Sequence, residues 1–493
     1  MMMKDLSVYN PQRAIKKLGQ ALVSNTKFNV MKPYFVIILL FCTIFTSCQK
    51  FVDIKKTSAQ SNIESANDCQ LLLDNAEVLN KDYPVDGEIS ADDYYLDDAR
   101  YNSDRLDIDD RSLYTWSATA IRQPAKQWVG CYNKIYNANL ILEAIVRLEG
   151  KEPANVLNNL KGSALFFRAY ALWNLAQLYT APYGQDAVSQ PGLPIRLVSD
   201  INETPGRGTV KDTYDRILQD LTEGAALLNA ASSIATRPNK AAAFAMLSRV
   251  YLSMGDYPNA LLNATSALQL KSDLIDFNTL NPETPTPFAR FNQEVIFHST
   301  LLRQNYVLEP GYGYENQALV NKEIVNAYAE GDLRKTILIK ENTDVENPTG
   351  TYRFTGNYEP AAGSPVMFNG LTTDELYYTR AECYARAGNT AGAMTDLNTL
   401  LRKRWLTGAY TDKAVVNATA ALDLVLVERR KGLLMRGLRW MDLRRLNREQ
   451  RFAKVLSRTV AGKSYTLAPN ELRYTLLIPQ EVLNNSAIAQ NRR

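Results

Sequence analysis

The sequence predicts an all-α, mostly helical protein, in which tetratricopeptide-like helical hairpins form a superhelix with long irregular loop insertions. Three observations predict this fold class. Apolar residues recur at three- and four-residue spacing over long runs, two segments resemble each other around a central glycine, and residues 80–120 and 271–370 lack the helical spacing.

Long amphipathic runs supply most of the predicted helices. Within one of them, Trp128, Tyr132 and Ile135 recur at helical spacing, which is typical of a helix that buries one face. In the loop-rich stretches only the short runs Glu294–Thr300 and Thr351–Phe354 have strand-like composition. The predicted helical runs are residues 64–79, 121–148, 155–180 and 210–229.

Two segments around Gly255 and Gly388 have the pattern of tetratricopeptide hairpins. When the glycines are aligned, Ala260 stands opposite Ala393, and further apolar residues also coincide. A small residue permits the tight turn, and alanines let the paired helices approach closely. The two segments therefore predict equivalent helical hairpins within an interrupted array.

The amino terminus has the pattern of an export signal. From Met31, one lysine is followed by a short apolar run and then by small residues before Cys48, as in a lipoprotein signal peptide. The apolar run is shorter than the roughly 20 residues that cross a bilayer. We therefore expect Cys48 to carry a lipid and to tether the protein to a membrane. The alternative is an ordinary secretory signal with an incidental cysteine.

These patterns predict four consecutive parts of the chain. Residues 1–30 lack an apolar core, so translation is expected to start at Met31. Residues 31–47 are the predicted signal peptide, residues 48–62 the lipidated cysteine and its polar tether, and residues 63–493 a single folded domain.

Composition excludes several classes of chemistry. The chain has one histidine, His298, and its five cysteines form no CxxC pair, which argues against histidine-based zinc sites, zinc ribbons and Ser-His-Asp catalysis. His298 lies in an apolar run and is expected in the core. The formal charge of +4 comes from residues 1–47, which hold six basic side chains and one acid, so a nucleic-acid footprint is not predicted.

An acidic and aromatic segment is the first candidate ligand site. Residues 82–110 contain eleven acids and two arginines. Saccharides are bound by ring faces and by carboxylates that accept hydroxyl pairs. The alternative is a solvated acidic loop whose rings pack into the frame. A structural calcium site among these carboxylates is a further alternative, although no EF-hand spacing is present. The candidate side chains are Asp92, Asp93, Tyr94, Tyr95, Tyr114 and Trp116.

A glycine-tyrosine loop is the second candidate ligand site. Tyr306 precedes the run Gly311-Tyr312-Gly313-Tyr314-Glu315-Asn316, in which glycines separate the rings. Such a loop can present ring faces to a ligand, or it can pack against the frame. The candidate side chains here are Tyr306, Tyr312, Tyr314 and Asn316.

The basic stretch from Glu428 to Lys454 completes the set of unusual segments. It holds ten lysines or arginines and few acids. We expect these cations to pair with acids on neighbouring helices within the fold, in preference to binding nucleic acid.

Adjacent acids such as Asp97-Asp98 do not make a glycosidase, since that chemistry needs two carboxyls facing each other across a cleft.

With these motifs in this order, the chain resembles the SusD/RagB family of surface lipoproteins from Bacteroidetes nutrient-uptake systems. The most specific stretch runs from Glu428 to Arg445 and is similar to the family's ERR-x-EL-x-x-EG-x-R-x-x-DL-R-R signature, with Gly432 and Arg436 in place of the usual acids. Weaker matches are spread over the mature chain, among them Trp128, Tyr132, Ile135, Ala138, Asn139, Arg168, Tyr170, Tyr214, Asp220, Glu294, Leu477, Ile478, Pro479, Gln490 and Asn491.

The resemblance implies a SusD-like fold and a binding protein that is not an enzyme and needs no cofactor. Family members capture oligosaccharides, or less often peptides, on the extracellular side of the outer membrane and pass them to a SusC-like TonB-dependent barrel. The domain would then comprise an N-terminal part, 63–230, and a C-terminal part, 231–493. A periplasmic tetratricopeptide scaffold that binds proteins is the alternative, and a cryptic hydrolase is the third option.

Overall fold

The computed structural model describes residues 63–302, 307–308, 317–343, 348–360 and 366–493. Helices dominate this part of the chain, and none of the described helices is long and apolar enough to cross a membrane. The helices are α1 (Ala66–Leu73), α2 (Ala76–Leu79), α3 (Asp86–Ser90), α4 (Asp98–Tyr101), α5 (Ile108–Tyr114), α6 (Lys126–Leu148), α7 (Ala154–Tyr179), α8 (Val210–Leu227), α9 (Lys240–Met254), α10 (Tyr257–Leu270), α11 (Lys322–Ala327), α12 (Arg334–Ile337), α13 (Thr373–Arg386), α14 (Thr390–Leu401), α15 (Ala418–Gly432), α16 (Arg439–Leu446) and α17 (Gln480–Asn484).

The described strands are short and pair only two by two. All five pairs are antiparallel: β1 with β5, β2 with β3, β4 with β8, β6 with β7, and β9 with β10. Their bounds are β1 (Tyr94–Tyr95), β2 (Pro191–Pro194), β3 (Arg207–Thr209), β4 (Val295–Phe297), β5 (Leu319–Val320), β6 (Ile339–Glu341), β7 (Tyr352–Phe354), β8 (Leu371–Thr372), β9 (Leu456–Val460) and β10 (Lys463–Leu467).

The all-α prediction is confirmed, and the long predicted helices appear as α6, α7 and α8. The run 64–79 forms two helices instead of one. Asn75 accepts a hydrogen bond from the backbone N–H of Val78 and caps a new helix, which breaks the run after α1. Residues 80–120 hold three short helices, α3 to α5, and the short strand β1, in keeping with the absence of sustained helical spacing there.

The two predicted hairpins are α9–α10 and α13–α14. Gly255 (φ +77°) and Gly388 (φ +79°) are both left-handed at the turn, a conformation that glycine adopts without the steric cost of a side chain. Ala260 and Ala393 are fully buried between their helices, as the alignment of the glycines predicts. The hairpins also pack on each other through α10 and α13.

One core cluster joins most of the described helices, with α7 at its centre, and a second cluster packs α13, α14 and α15 together. Helix α7 packs against both α6 and α8, and its aromatic residues Phe166, Phe167 and Tyr170 surround Phe297 of β4. His298, the next residue, is 2% exposed between Phe291 and Phe368, so its predicted place in the core is confirmed.

Candidate functional site

The acids of the first candidate site are paired inside the fold. Asp92 forms short salt bridges with Arg439 (2.6 Å) and Arg430 (3.1 Å), and Lys454 lies 3.2 Å away. Asp93 is 3.0 Å from Arg430. Burial alone would raise the pKa of Asp92, but these cations outweigh it and hold the pKa well below its usual range.

Three rings of the same site enclose a buried cation. The Arg458 guanidinium lies 3.8 Å from the centroid of the Tyr114 ring, 4.5 Å from that of Trp116 and 5.3 Å from that of Tyr94. It also donates to the backbone carbonyls of Tyr114 and Ala91. All three rings are at most 4% exposed, so they pack into the frame in this structure and leave their faces unavailable to solvent.

Among the candidate rings of this site, Tyr95 is partly exposed. It lies in β1, where it pairs with Leu319 of β5. Asn321 reinforces this contact, since its backbone N–H donates to the Asp93 carbonyl (2.9 Å) and its side chain to the Asp92 carbonyl (3.0 Å). The structure therefore brings the acidic segment beside the residues that follow the second candidate loop.

The second candidate loop and the lipidation site lie outside the described residues. This holds for Tyr306, Tyr312, Tyr314 and Asn316, and for Cys48. Their assigned roles stay predictions from the sequence.

The basic stretch has the internal role that its composition predicts. Arg445 forms two hydrogen bonds with the Glu382 carboxylate (2.6 and 2.7 Å), and Arg429 binds Asp442 at 2.9 Å. Gly432 and Arg436, which replace the usual acids of the signature, lie against rings: an added Cβ at Gly432 would meet Tyr378, and Arg436 lies 3.6 Å from the centroid of Tyr358. These contacts confirm the prediction that the cations act within the fold.

A groove along α6 has a volume of about 960 Å³. We name it the α6 groove. Volumes of this size are typical of small-molecule sites. Its other walls come from the segment 194–206, from residues near Asp82 and from the carboxyl end of the chain. The side chains that line it include Glu77, Val78, Asp82, Lys126, Trp128, Val129, Tyr132, Asn133, Lys134, Tyr136, Pro194, Arg196, Ile201, Glu203, Glu481, Val482, Asn485, Ser486 and Ile488.

A stripe of rings forms the α6 wall of this groove. Trp128, Tyr132 and Tyr136 are four residues apart and so occupy one face of the helix. The Trp128 and Tyr132 ring centroids are 5.2 Å apart, and the Tyr132 hydroxyl donates to the Pro194 carbonyl at 2.8 Å. Tyr132 and Tyr136 are partly exposed, which leaves ring surface for a ligand.

Hydrogen bonds hold the other walls against α6. Asn139 donates to the carbonyls of Arg196 and Val198, both at 3.1 Å, and so fixes the segment 194–206. The Glu481 carboxylate accepts from the backbone N–H of Ala125 at 3.3 Å, which holds α17 at the start of α6. The groove is therefore assembled from segments that are far apart in sequence.

Lys134 places a cation at the floor of the groove. It is 2% exposed, its ammonium donates to the Gly130 carbonyl at 3.4 Å, and it lies 4.8 Å from the centroid of the Tyr83 ring. Burial lowers its pKa, since the charged form loses its hydration. The groove thus combines ring faces, amides and charges of both signs, a composition that suits a polar ligand with apolar faces.

The sequence interpretation missed the α6 groove. Trp128 and Tyr132 were visible as a helical stripe, but core rings and groove rings have the same spacing. Within the described ranges, no group of three or more histidine, cysteine or acidic side chains is arranged to hold a metal ion. The arrangement of ring faces, amides and charges in the α6 groove is suited to binding.

Two family models match the chain in sequence. The first, described as starch-binding and associating with the outer membrane, matches residues 50–252, and the second, the SusD family, matches residues 373–486. No curated protein is similar in sequence.

Solved structures share the fold at low identity. A SusD superfamily protein from Bacteroides thetaiotaomicron is 22% identical, with a TM-score of 0.71 over 87% of this chain and 100% of that one. A SusD-like carbohydrate binding protein from Bacteroides vulgatus is 17% identical, with a TM-score of 0.67 over 85% of this chain and 96% of that one. A SusD superfamily protein from Bacteroides fragilis is 20% identical, with a TM-score of 0.67 over 86% of this chain and 98% of that one.

Proposed function

This chain belongs to the SusD/RagB family, and we propose from that premise that it is a cell-surface lipoprotein that captures oligosaccharides. It would be anchored in the outer membrane through Cys48 and would deliver its ligand to a SusC-like TonB-dependent barrel. Peptides are the second ligand class that the family resemblance implies.

Family membership is the observation that carries this proposal. The N-terminal family model is described as starch-binding and outer-membrane associating, and one structural neighbour is described as carbohydrate binding. Both descriptions concern other proteins, and we extend them to this chain because the fold is shared over most of its length. The lipobox-like sequence before Cys48 supports the membrane anchor.

We propose that the α6 groove holds part of the ligand. Tyr132 and Tyr136 offer ring surface for the C–H faces of sugars, and Asn133 and Asn485 offer amides to hydroxyl groups. Tyr95 and the loop Tyr306–Asn316 remain a second candidate region, because β1 and β5 bring Tyr95 close to the end of that loop along the chain.

A panel of oligosaccharides tests the binding function. Lipid-free protein beginning at Gln49 is titrated by calorimetry with glucans, fructans, mannans and host-type glycans, and with peptides as the competing class. We expect at least one oligosaccharide to bind. Binding of peptides alone, or of no member of the panel, would contradict the proposal.

Two variants separate the candidate regions. Tyr136→Ala is expected to lower the affinity for the oligosaccharide about tenfold, which is the contribution of one ring. Deleting Tyr306–Asn316 tests the loop in the same assay. Tyr251→Ala, a partly exposed tyrosine on α9 outside the groove, is the matched control and is expected to bind like the natural protein.

Protease treatment of intact cells distinguishes this function from that of a periplasmic scaffold. A surface lipoprotein is digested, whereas a periplasmic protein is protected by the outer membrane.

Copurification with a TonB-dependent barrel from detergent extracts tests the partner. A hydrolase would release shorter products from the bound oligosaccharide, and we expect none.

A further inference from the structure

The α6 groove adjoins a second pocket, which lies between α1 and the second half of α6 and has a volume of about 470 Å³. We name it the α1 pocket. Asn133 and Tyr136 line both the groove and this pocket, so the two cavities meet at these residues. Together they follow α6 from Trp128 to Leu140, which is about 18 Å along the helix axis. That length exceeds a single sugar ring and suits a chain of several units.

Two neighbouring stripes of α6 explain why the cavities meet. Tyr132 and Tyr136 are four residues apart on the stripe that lines the α6 groove. Asn133, Asn137 and Leu140 have the same kind of spacing on the adjacent stripe, which lines the α1 pocket beside α1. The partly exposed ring of Tyr136 therefore stands where a ligand would pass from one cavity to the other.

The adjacent stripe carries an accessible pair of amides. The Asn137 Nδ2 donates to the Asn133 backbone carbonyl at 2.8 Å and to the Asn133 Oδ1 at 3.3 Å. These bonds leave the Asn133 Nδ2 to donate and the Asn137 Oδ1 to accept. Asn133 is exposed and Asn137 is partly exposed, so both side chains can contact a ligand. One donor beside one acceptor complements two neighbouring sugar hydroxyls, since each hydroxyl can donate and accept.

The opposite wall of the α1 pocket is mainly apolar. Leu71 is 62% exposed, and Leu72 is partly exposed beside it. The carboxylate of Asp68, which also lines the pocket, is engaged in capping α1, where it accepts from the backbone N–H of Ser65 at 2.9 Å. Among the described residues that line this pocket there is no cation, so an anionic ligand would gain nothing from it. A neutral ring with one apolar face and a hydroxyl edge fits these walls.

We propose that a single linear, neutral oligosaccharide occupies both cavities. One sugar unit stacks on Tyr136, one end of the chain lies in the α6 groove, and the other end lies between Leu71 and the amides of Asn133 and Asn137. This inference rests on the proposed binding of oligosaccharides in the α6 groove. It adds the class of ligand, a chain of several units, because a short saccharide cannot contact both cavities at once.

A chain-length series tests the proposal. Lipid-free protein beginning at Gln49 is titrated by calorimetry with malto-, manno- and fructo-oligosaccharides, each as the disaccharide, the tetrasaccharide and the hexasaccharide. A chain that crosses Tyr136 gains contacts in the α1 pocket that a disaccharide in the groove does not make. In at least one series we expect the hexasaccharide to bind about tenfold more tightly than the disaccharide.

Two variants of the α1 pocket locate the added contacts. Asn137→Ala removes the accepting amide, and Leu71→Ala removes the exposed side chain of the opposite wall. Both changes keep the helix, because alanine has the highest helix propensity. Asn158→Ala, at an exposed asparagine of α7, and Leu262→Ala, at a leucine of α10 that is 63% exposed, are the matched controls. Neither control residue lines the groove or the pocket.

Asn137→Ala should lower the affinity for the hexasaccharide about fivefold and Leu71→Ala about threefold, with the affinity for the disaccharide unchanged in both. The two controls should bind both saccharides like the natural protein. Thermal melting shows that each variant is folded.

Equal affinities for the disaccharide and the hexasaccharide would overturn the two-cavity ligand and leave oligosaccharide binding in the α6 groove in place. A hexasaccharide affinity that neither variant lowers would have the same meaning. If no member of any series binds, both this inference and the proposed binding function are overturned.

Discussion

Arg168 of α7 and Asp220 of α8 form a buried bidentate salt bridge, with both nitrogen–oxygen distances at 2.7 Å. Both side chains are at most 6% exposed. Asn139 of α6 accepts a further hydrogen bond from Arg168 at 2.9 Å. Because Asn139 also holds the segment 194–206, this network connects the helical frame directly to a wall of the α6 groove.

Replacing Asp220 by Asn is therefore expected to destabilise the fold by about 3–5 kcal/mol, since it leaves the Arg168 charge buried without its anion. Urea unfolding followed by circular dichroism measures the change. The matched control is Lys161→Ala, which breaks an exposed salt bridge with Glu223 between the same two helices and should cost at most about 1 kcal/mol. Equal losses in the two variants would contradict this assignment.

The helices were predictable from the sequence because their signals are local. The periodicity of α6 and α7 and the glycines at the hairpin turns lie within short stretches of chain. The break after α1 is also local, but Asn75 looks like any polar residue of an amphipathic helix until its capping hydrogen bond is seen.

The burial of the rings at the first candidate site could not be predicted in the same way. From the sequence, Tyr114 and Trp116 fit the role of ligand platforms and also the role of rings packed into the frame. What decides between these roles is Arg458, which is 344 residues from Tyr114 along the chain. Likewise, α6, residues 194–206 and α17 build the α6 groove, and no local pattern indicates that these segments meet.

Trp116→Ala and Tyr95→Ala should therefore differ in their effect on stability. Trp116 packs on Arg458 and donates from its indole to the Ser90 carbonyl at 2.9 Å, so its loss should destabilise the protein by about 3–5 kcal/mol. Tyr95 is partly exposed, and its loss should leave stability nearly unchanged. Thermal melting and oligosaccharide titration of both variants check this. A stable Trp116→Ala protein with weakened ligand binding would restore Trp116 as a ligand contact.

Asp442 makes the stability of the fold depend on pH in the acidic range. Burial alone would raise its pKa, but the charges of Arg429 and Arg445 outweigh burial and lower the pKa to about 2. An unfolded aspartate titrates near pH 3.9. The group thus stabilises the fold fully above that pH, and this contribution is lost as the pH falls toward 2.

Asp442→Asn should accordingly be less stable than the natural protein by about 2–3 kcal/mol at pH 7, with the difference shrinking between about pH 4 and pH 2. Urea unfolding across this pH range measures it. Asp215→Asn, in an exposed pair with Lys211, is the control and should show little difference at any pH. A difference for Asp442→Asn that stays constant down to pH 2 would show that the carboxylate charge is not the cause.

The thiols of the folded chain are expected to be unreactive. Cys69, Cys131 and Cys383 are buried, and burial raises the pKa of Cys69 to about 11 and those of the other two to about 12. Since the thiolate is the reactive form, lipid-free protein beginning at Gln49 should react slowly with a disulfide reagent at pH 8. All three thiols should react, with one equivalent of reagent each, only after the protein is unfolded in guanidinium. Rapid modification of one thiol in the native state would indicate that its helix opens locally.

Gly432, where the family signature usually has an acid, is fitted to Tyr378. A Cβ at this position would lie 2.2 Å from the Tyr378 hydroxyl oxygen and 2.6 Å from its ring, and that tyrosine is fully buried with its hydroxyl bound by Arg334 at 3.2 Å. Gly432→Ala should therefore cost about 1–3 kcal/mol through overpacking. In a Tyr378→Ala background the same change should cost much less, and this coupling, measured by urea unfolding, identifies the clash. Gly206→Ala, which meets nothing within 4 Å, is the control. Equal costs in both backgrounds would mean that Tyr378 moves aside freely and that the glycine is not required by packing.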